Sequence, residues 1–288
     1  MTALDKLREL SQLFEKAGIT NPAKEAETLL TETLNITTVT LHAYTPELDI
    51  SMSEKLDSLA GRRINGEPMQ YVIGHVEFLG LSIHVGKGVL IPRPETELLA
   101  EEAVNIIRAQ QAAPLRIMDL CTGSGCIALA LAKAFPQACV YGVDRWADAL
   151  HYAGRNAERN KIDNAHFLEG DLFTPLKGYA RYNCIISNPP YIRSSDIRGL
   201  QREIKDHEPI EALDGGPDGL NFYRRILNEA PAYLEDFGIV ILEIGMDQSQ
   251  DIRDLALLNG FAGIRFVKDY AGIERIFVGS YDSPNRTT

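Results

Sequence analysis

Long apolar runs are missing from this chain of 288 residues. None approaches the roughly 20 residues that cross a bilayer, so no membrane association is expected. The opening MTALDKLREL mixes charges and has no apolar centre of the signal-peptide kind, which points to the cytoplasm. Positive charge is also scarce: Lys and Arg number 29 against 40 Asp and Glu, a balance of −11. A field of that sign repels phosphate backbones and argues against free nucleic acid as a partner; a protein or small-molecule substrate fits better. The four cysteines, Cys121, Cys126, Cys139 and Cys184, make no CxxC pair and have no His at ligand spacing. They read as reduced, buried thiols, with no metal expected.

Two kinds of pattern are present. Residues 1–75 are helical in period: Leu4, Leu7, Leu10, Leu13 and Phe14 share one helix face. Asn21-Pro22 looks like an N-cap followed by a first-turn proline, and Ser51 or Ser53 is positioned to cap a third helix. This small bundle is expected to serve as a docking domain or a lid. Residues 76–92 alternate like a β-hairpin, with a turn expected at Gly86-Lys87-Gly88. Residues 93–282 alternate strand and helix, from LRIMDL and CIALALAKAF to GIVILEIG. That alternation predicts an α/β fold with a parallel sheet, and its last strands suggest an antiparallel end. Residues 283–288 read as a disordered tail, and the chain reads as a monomer.

The chemistry gathers at strand ends. Asp119-Leu120-Cys121-Thr122-Gly123-Ser124-Gly125 joins the first strand of this region to its helix, where glycines admit a ligand close to the backbone. Asp144 closes the second strand, at the position where an acid accepts ribose hydroxyls. A nicotinamide cofactor competes for such a loop, but the G-x-G-x-x-G spacing is absent. A third acid, Asp171, follows the third strand, placed to accept from an adenine amine. Acids on three successive strand ends suit S-adenosylmethionine (SAM), a cation without phosphate.

The fourth strand runs into Asn188-Pro189-Pro190-Tyr191. Proline has no N–H to donate, and an asparagine side chain offers a carbonyl oxygen. Together they can accept two hydrogen bonds from one planar NH2 group, with Tyr191 stacked on the plane behind it. An amide nitrogen needs such help, because its lone pair is delocalised; the peptide rotation barrier of roughly 18–20 kcal/mol measures how strongly. Alignment alone is worth roughly 7–11 kcal/mol. On these residues, adenine and glutamine amides both remain open as targets. Glu243, after the fifth strand, reads equally as a supporting acid or a buried hydrogen-bonded carboxylate.

DLCTGSG, Asp144 and SNPPYI resemble the class I SAM-dependent methyltransferases that act on planar nitrogen. GEPMQYVIGHVEFLG (residues 66–80), VLIPRPETE (89–97) and HEPIEALDGGPDGLNFYRRI (207–226) resemble, more narrowly, the peptide chain release factor glutamine methyltransferases of the PrmC/HemK family. The likeness spans nearly the whole chain. It implies a Rossmann-like seven-stranded sheet with an N-terminal helical bundle joined by a β-hairpin. It implies methyl transfer from SAM, leaving S-adenosylhomocysteine, to the glutamine N5 of the Gly-Gly-Gln loop in class I release factors. By position it implies cofactor contacts from Asp119, Cys121, Thr122, Gly123, Ser124 and Gly125, with Asp144 on the ribose and Asp171 and Leu172 on the adenine. Asn188 would touch cofactor and substrate, and Pro189, Pro190 and Tyr191 the glutamine. Arg93 and Glu97 would brace the pocket or meet its methionine end. Cys121 stands where glycine is usual, and Leu172 where some members carry an aromatic. Two rivals are carried forward: an adenine-N6 methyltransferase on DNA or RNA, and a catalytically silent SAM-binding module.

Overall fold

A computed structural model describes residues 1–110, 115–176, 178 and 181–282; the tail expected over 283–288 lies outside the described residues. The chain divides into two compact units. One holds Met1–His75 with Gln201–His207, the other Val76–Leu200 and the chain from Glu208 onward.

The first unit contains α1 (Ala3–Lys16), α2 (Pro22–Leu34), α3 (Thr38–Tyr44), α4 (Ile50–Ile64) and α5 (Met69–Ile73). Helix α1 starts at a capping box, with Thr2 Oγ1 accepting from Asp5 N at 3.1 Å and Asp5 accepting in return from Thr2 N. Its apolar face, with Leu10 and Phe14 fully buried, packs with Leu29, Leu30, Leu41 and Leu56 into a core of its own. Asn21 occupies the cap of α2 in the left-handed conformation without a side-chain cap bond, so Pro22 at the first turn carries that helix start. Neither Ser51 nor Ser53 caps α4. Asp49 does, accepting from Met52 N at 2.7 Å, and the serines fall inside the helix. Helices α3 and α5, seven and five residues long, are too short to show a helical period in the sequence.

The hairpin pairs β1 (His75–Phe78) with β2 (Leu81–His84). Its turn is Leu79-Gly80, both at positive φ, and not Gly86-Lys87-Gly88, which lies beyond β2. The second unit continues with α6 (Pro94–Gln110), β3 (Arg116–Leu120), α7 (Cys126–Ala134), β4 (Cys139–Asp144), α8 (Ala147–Asn160), β5 (Ala165–Glu169) and β6 (Tyr182–Ser187). Helix α9 (Arg202–His207) belongs to the first unit. Then come α10 (Asn221–Glu229), β7 (Leu234–Glu243), α11 (Ser249–Leu258), β8 (Phe261–Lys268) and β9 (Glu274–Tyr281).

Seven strands form one sheet in the order β5-β4-β3-β6-β7-β9-β8. The pairings from β5 to β7 are parallel, and β9 is antiparallel to both β7 and β8. Strands β3 and β6 are buried on nearly every residue, as strands covered on both faces must be. From β3 the chain first moves outward through β4 to β5, then returns to the other side of β3 as β6. The strand order therefore reverses at β3, and ligand crevices of open α/β sheets lie at the carboxyl edge of such a reversal.

Candidate active site

Four strand ends meet at that edge: the loop after β3, Asp144 closing β4, Gly170-Asp171-Leu172 after β5 and Asn188 after β6. They border an open cleft of ≈ 230 Å³.

The loop after β3 turns sharply. Cys121, Gly123 and Gly125 all have positive φ, at 57°, 53° and 79°. For a non-glycine residue that conformation costs roughly 1–2 kcal/mol, so Cys121 holds strain that a glycine there would not. Burial and the nearby Asp144 carboxylate push its thiol well above the ordinary thiol range. Gly125 starts α7 where a Cβ would lie 3.0 Å from Ala153 Cβ and 3.1 Å from Phe167; its role is tight packing. A Cβ at Gly123 would meet its nearest neighbour, Val89, only at 3.8 Å, so there the glycine serves the turn and the open wall.

Asp144 accepts from Gly123 N at 2.9 Å and Trp146 N at 3.0 Å. Burial raises its pKa against the pull of these donors. The β3–α7 loop and the end of β4 are thus tied through one carboxylate. Asp171 accepts two bonds from Arg225 on α10, at 3.1 and 2.9 Å, which orients its carboxylate at the wall. Leu172, at φ 51°, is buried beside it. The wall also carries Trp146 and Phe222. Trp146 is 44% exposed, so the packing role that is the default for a tryptophan does not hold there.

Several expected contacts lie elsewhere. Asp119 is fully buried beneath the loop: one oxygen accepts from Thr122 Oγ1 at 2.5 Å and Ala128 N at 3.2 Å, and Oδ1 has no partner. Burial lifts its pKa to about 7. It braces the loop and is absent from the cleft wall, as are Thr122, Ser124 and Gly125. Glu97 accepts from Leu79 N at 3.1 Å and so holds the hairpin turn. Arg93 pairs with the buried Glu208, which also accepts from Ile91 N at 3.1 Å. Through Glu208, Arg93 acts one residue away from Pro209, which does line the cleft.

The tetrapeptide is built into the fold on both sides. Asn188 and Pro190 reach the cleft; Pro189 and Tyr191 do not. Tyr191 instead sends its hydroxyl to Glu243 Oε1 at 3.2 Å. Asn188 Nδ2 donates to Thr96 Oγ1 at 3.0 Å, and Thr96 Oγ1 donates to Glu243 Oε2 at 2.7 Å. The HEP segment closes the other side: Ile192 N donates to Leu213 O at 2.9 Å and Gly215 N to Ile192 O at 2.8 Å. A Cβ at Gly215 would lie 2.7 Å from Tyr191 Cα, and one at Gly219 2.4 Å from Tyr191 O. The sequence reading missed Thr96, Glu208, Arg225 and these glycines. All of them lie inside VLIPRPETE and HEPIEALDGGPDGLNFYRRI, segments that carried the resemblance without assigning these residues a role.

The wall chemistry fits SAM. Asp144, Asp148, Asp171 and Glu211 line the cleft with Arg145, and with Arg225 paired to Asp171 the acids are still in excess. That set attracts a sulfonium and suits ribose hydroxyls, while it repels the pyrophosphate of a dinucleotide.

Residues 96–204 match the Methyltransferase small domain and residues 5–74 the PrmC N-terminal domain. A release factor glutamine methyltransferase from Thermodesulfovibrio yellowstonii is 44% identical over 96% of this chain and 98% of its own length. Another, from Geobacter sulfurreducens, is 42% identical over 93% and 92%. Among solved structures, the hMettl16 catalytic domain aligns with a TM-score of 0.57 at 15% identity, covering 83% of each chain, a likeness of fold alone. With domain models matched in both units and relatives aligned end to end, this chain belongs to the release factor glutamine methyltransferase family.

Proposed function

We propose that this chain transfers a methyl group from SAM to the side-chain nitrogen of the glutamine in the Gly-Gly-Gln loop of class I peptide chain release factors. The observation that carries the reading is Asn188. It stands at the end of β6 on the wall of an acid-lined cleft, with its NH2 group already given to Thr96. Its carbonyl oxygen is therefore the end available to accept an N–H from a substrate amide.

When bound, the cofactor supplies an electrophilic methyl on sulfur. The protein's part is to hold and orient. The carboxylates of Asp144 and Asp171 grip the polar ends of a nucleoside, and Leu172, Trp146 and Phe222 supply apolar faces for its base. Asn188 Oδ1, with a carbonyl of the stiff Pro189-Pro190 backbone, accepts the two amide N–H bonds and aims the nitrogen's lone pair. Once the nitrogen carried the methyl group it would be acidic, and Asn188 Oδ1 and the neighbouring backbone carbonyl would accept the proton it sheds and pass it to water. No strong base is required before attack. Tyr191, with its hydroxyl given to Glu243, supports the tetrapeptide from outside the cleft wall.

The adenine rival shares the tetrapeptide but not the surface, since a balance of −11 does not suit a nucleic-acid track. Labelled SAM separates the readings when offered with an unmodified release factor and, in parallel, with duplex DNA and RNA. Label on the release factor alone is expected. Label on nucleic acid alone contradicts the proposal, and bound SAM with no transfer to any of them favours the silent module.

A further inference from the structure

A side-chain amide has two ends of opposite chemistry, and a site that methylates nitrogen needs the oxygen of Asn188 turned inward. Nothing in asparagine itself chooses that end. The choice is made behind it, in a row of buried groups. Thr96 on α6 is 2% exposed and Glu243 at the end of β7 is 1% exposed. The Thr96 hydroxyl has one proton, and Glu243 Oε2 takes it at 2.7 Å. Thr96 Oγ1 can then only accept from Asn188, as it does from Nδ2 at 3.0 Å. Turning the amide over would set Asn188 Oδ1 against an oxygen whose proton is already committed, one acceptor facing another.

We infer that Thr96 and Glu243 are positioning residues: a relay of two hydrogen bonds, from Asn188 through Thr96 to Glu243, fixes the carbonyl end of Asn188 toward the cleft. The inference rests on the glutamine-methylating reading above and adds two residues to it. The relay has a polarity, and Glu243 sets it by being an acceptor only. Around that carboxylate stand Thr96 and Glu95 from α6, Tyr191 from the tetrapeptide and Arg275 from β9; Tyr223 on α10 donates to its backbone carbonyl at 2.9 Å. Burial is the dominant influence and raises the Glu243 pKa to about 7, with Glu95 adding to it and Thr96, Tyr191 and Arg275 opposing. A protonated Glu243 has a hydrogen to give, so the relay can then run in either direction and the amide loses its fixed end.

The test is kcat for methyl transfer to a release factor across pH 5.5–9, about the range over which a shifted carboxyl titrates. Alongside it run SAM Kd by equilibrium binding and thermal melting as a check on folding. Wild type is expected to lose kcat on the acid side of about pH 7. Glu243→Gln carries both a donor and an acceptor and specifies neither direction, so it should lower kcat roughly 10–100-fold and erase the acid limb. Thr96→Val should show a similar loss and Thr96→Ser should restore most of it, with SAM Kd within about threefold throughout. A folded Thr96→Val or Glu243→Gln with kcat within about twofold of wild type overturns the relay, as does Thr96→Ser failing as badly as Thr96→Val. If Glu243→Gln does not fold, the two Thr96 variants decide alone. A wild-type enzyme that leaves the release factor unlabelled overturns the proposed function itself, and with it the relay, a result distinct from active wild type with unaffected variants.

Discussion

Asn188 joins the clearest sequence signal to the least visible support. The run from β6 into two prolines marks the position in the sequence, but the partner that sets the amide's direction, Thr96, lies 92 residues earlier in a helix start that reads as ordinary capping chemistry. Asn188→Ala should lower kcat roughly 10²–10³-fold, the usual loss for one oriented polar group at a reacting centre, while SAM binding stays near wild type; unchanged turnover would remove Asn188 from the mechanism. Asp119 illustrates the opposite case. Its place in the motif suggests a ligand, but the structure buries it with Oδ1 unpartnered, because the loop above it needs a brace more than the cleft needs a fifth acid. Its folded pKa of about 7 exceeds the roughly 3.9 of an unfolded aspartate, so the native state holds the extra proton and stability falls as pH rises from about 4 to 7. Asp119→Asn keeps an acceptor for Thr122 and Ala128 without ionising. Denaturant melts between pH 4 and 8 should show a shallower decline for the variant, with Glu243 supplying what remains; identical slopes would contradict the assignment.

At the scale of elements, the sheet was legible because its strands are short apolar runs separated by amphipathic helices. The bounds expected for CVYGVD, ADALHYAGRNAERN and YNCIIS are those observed. Turns were harder. Gly86-Lys87-Gly88 has the composition of a hairpin turn, but the pairing of β1 with β2 sets the turn at Leu79-Gly80, where Glu97 from α6 ties down the backbone. Short-range propensity carries no trace of a contact made 18 residues away. The HEP segment has the same character: its glycines are required by the backbone of Pro190 and Tyr191, which pass too close for a side chain. Gly215→Ala has no room to relax without displacing that backbone. It should lower kcat roughly tenfold or more, since small misplacements at a reacting centre are costly, and should leave SAM affinity nearly unchanged. A fully active Gly215→Ala would show that the tetrapeptide tolerates movement.

At the scale of the molecule, the two units each have a core of their own, yet the first borrows α9 from far along the sequence. Arg63, 5% exposed, gives Glu25 two bonds at 2.5 and 3.0 Å and Glu203 on α9 one at 2.8 Å. Arg63→Ala leaves both carboxylates without their cation. With Glu203 partly exposed, the cost should be roughly 1–3 kcal/mol, below that of a fully buried pair, and should appear in denaturant melts; a loss under about 0.5 kcal/mol would mean that α9 is held by other contacts. Nothing in the local sequence near either residue announces this link. The central claim concerns a single nitrogen atom on another protein, and one measurement reaches it directly. Recombinant enzyme, SAM and unmodified release factor are incubated, and the digested release factor is mapped by fragmentation mass spectrometry. We predict one added methyl group on the side-chain nitrogen of the Gly-Gly-Gln glutamine, absent with Asn188→Ala; methylation at any other residue, or none with SAM bound, would contradict the account.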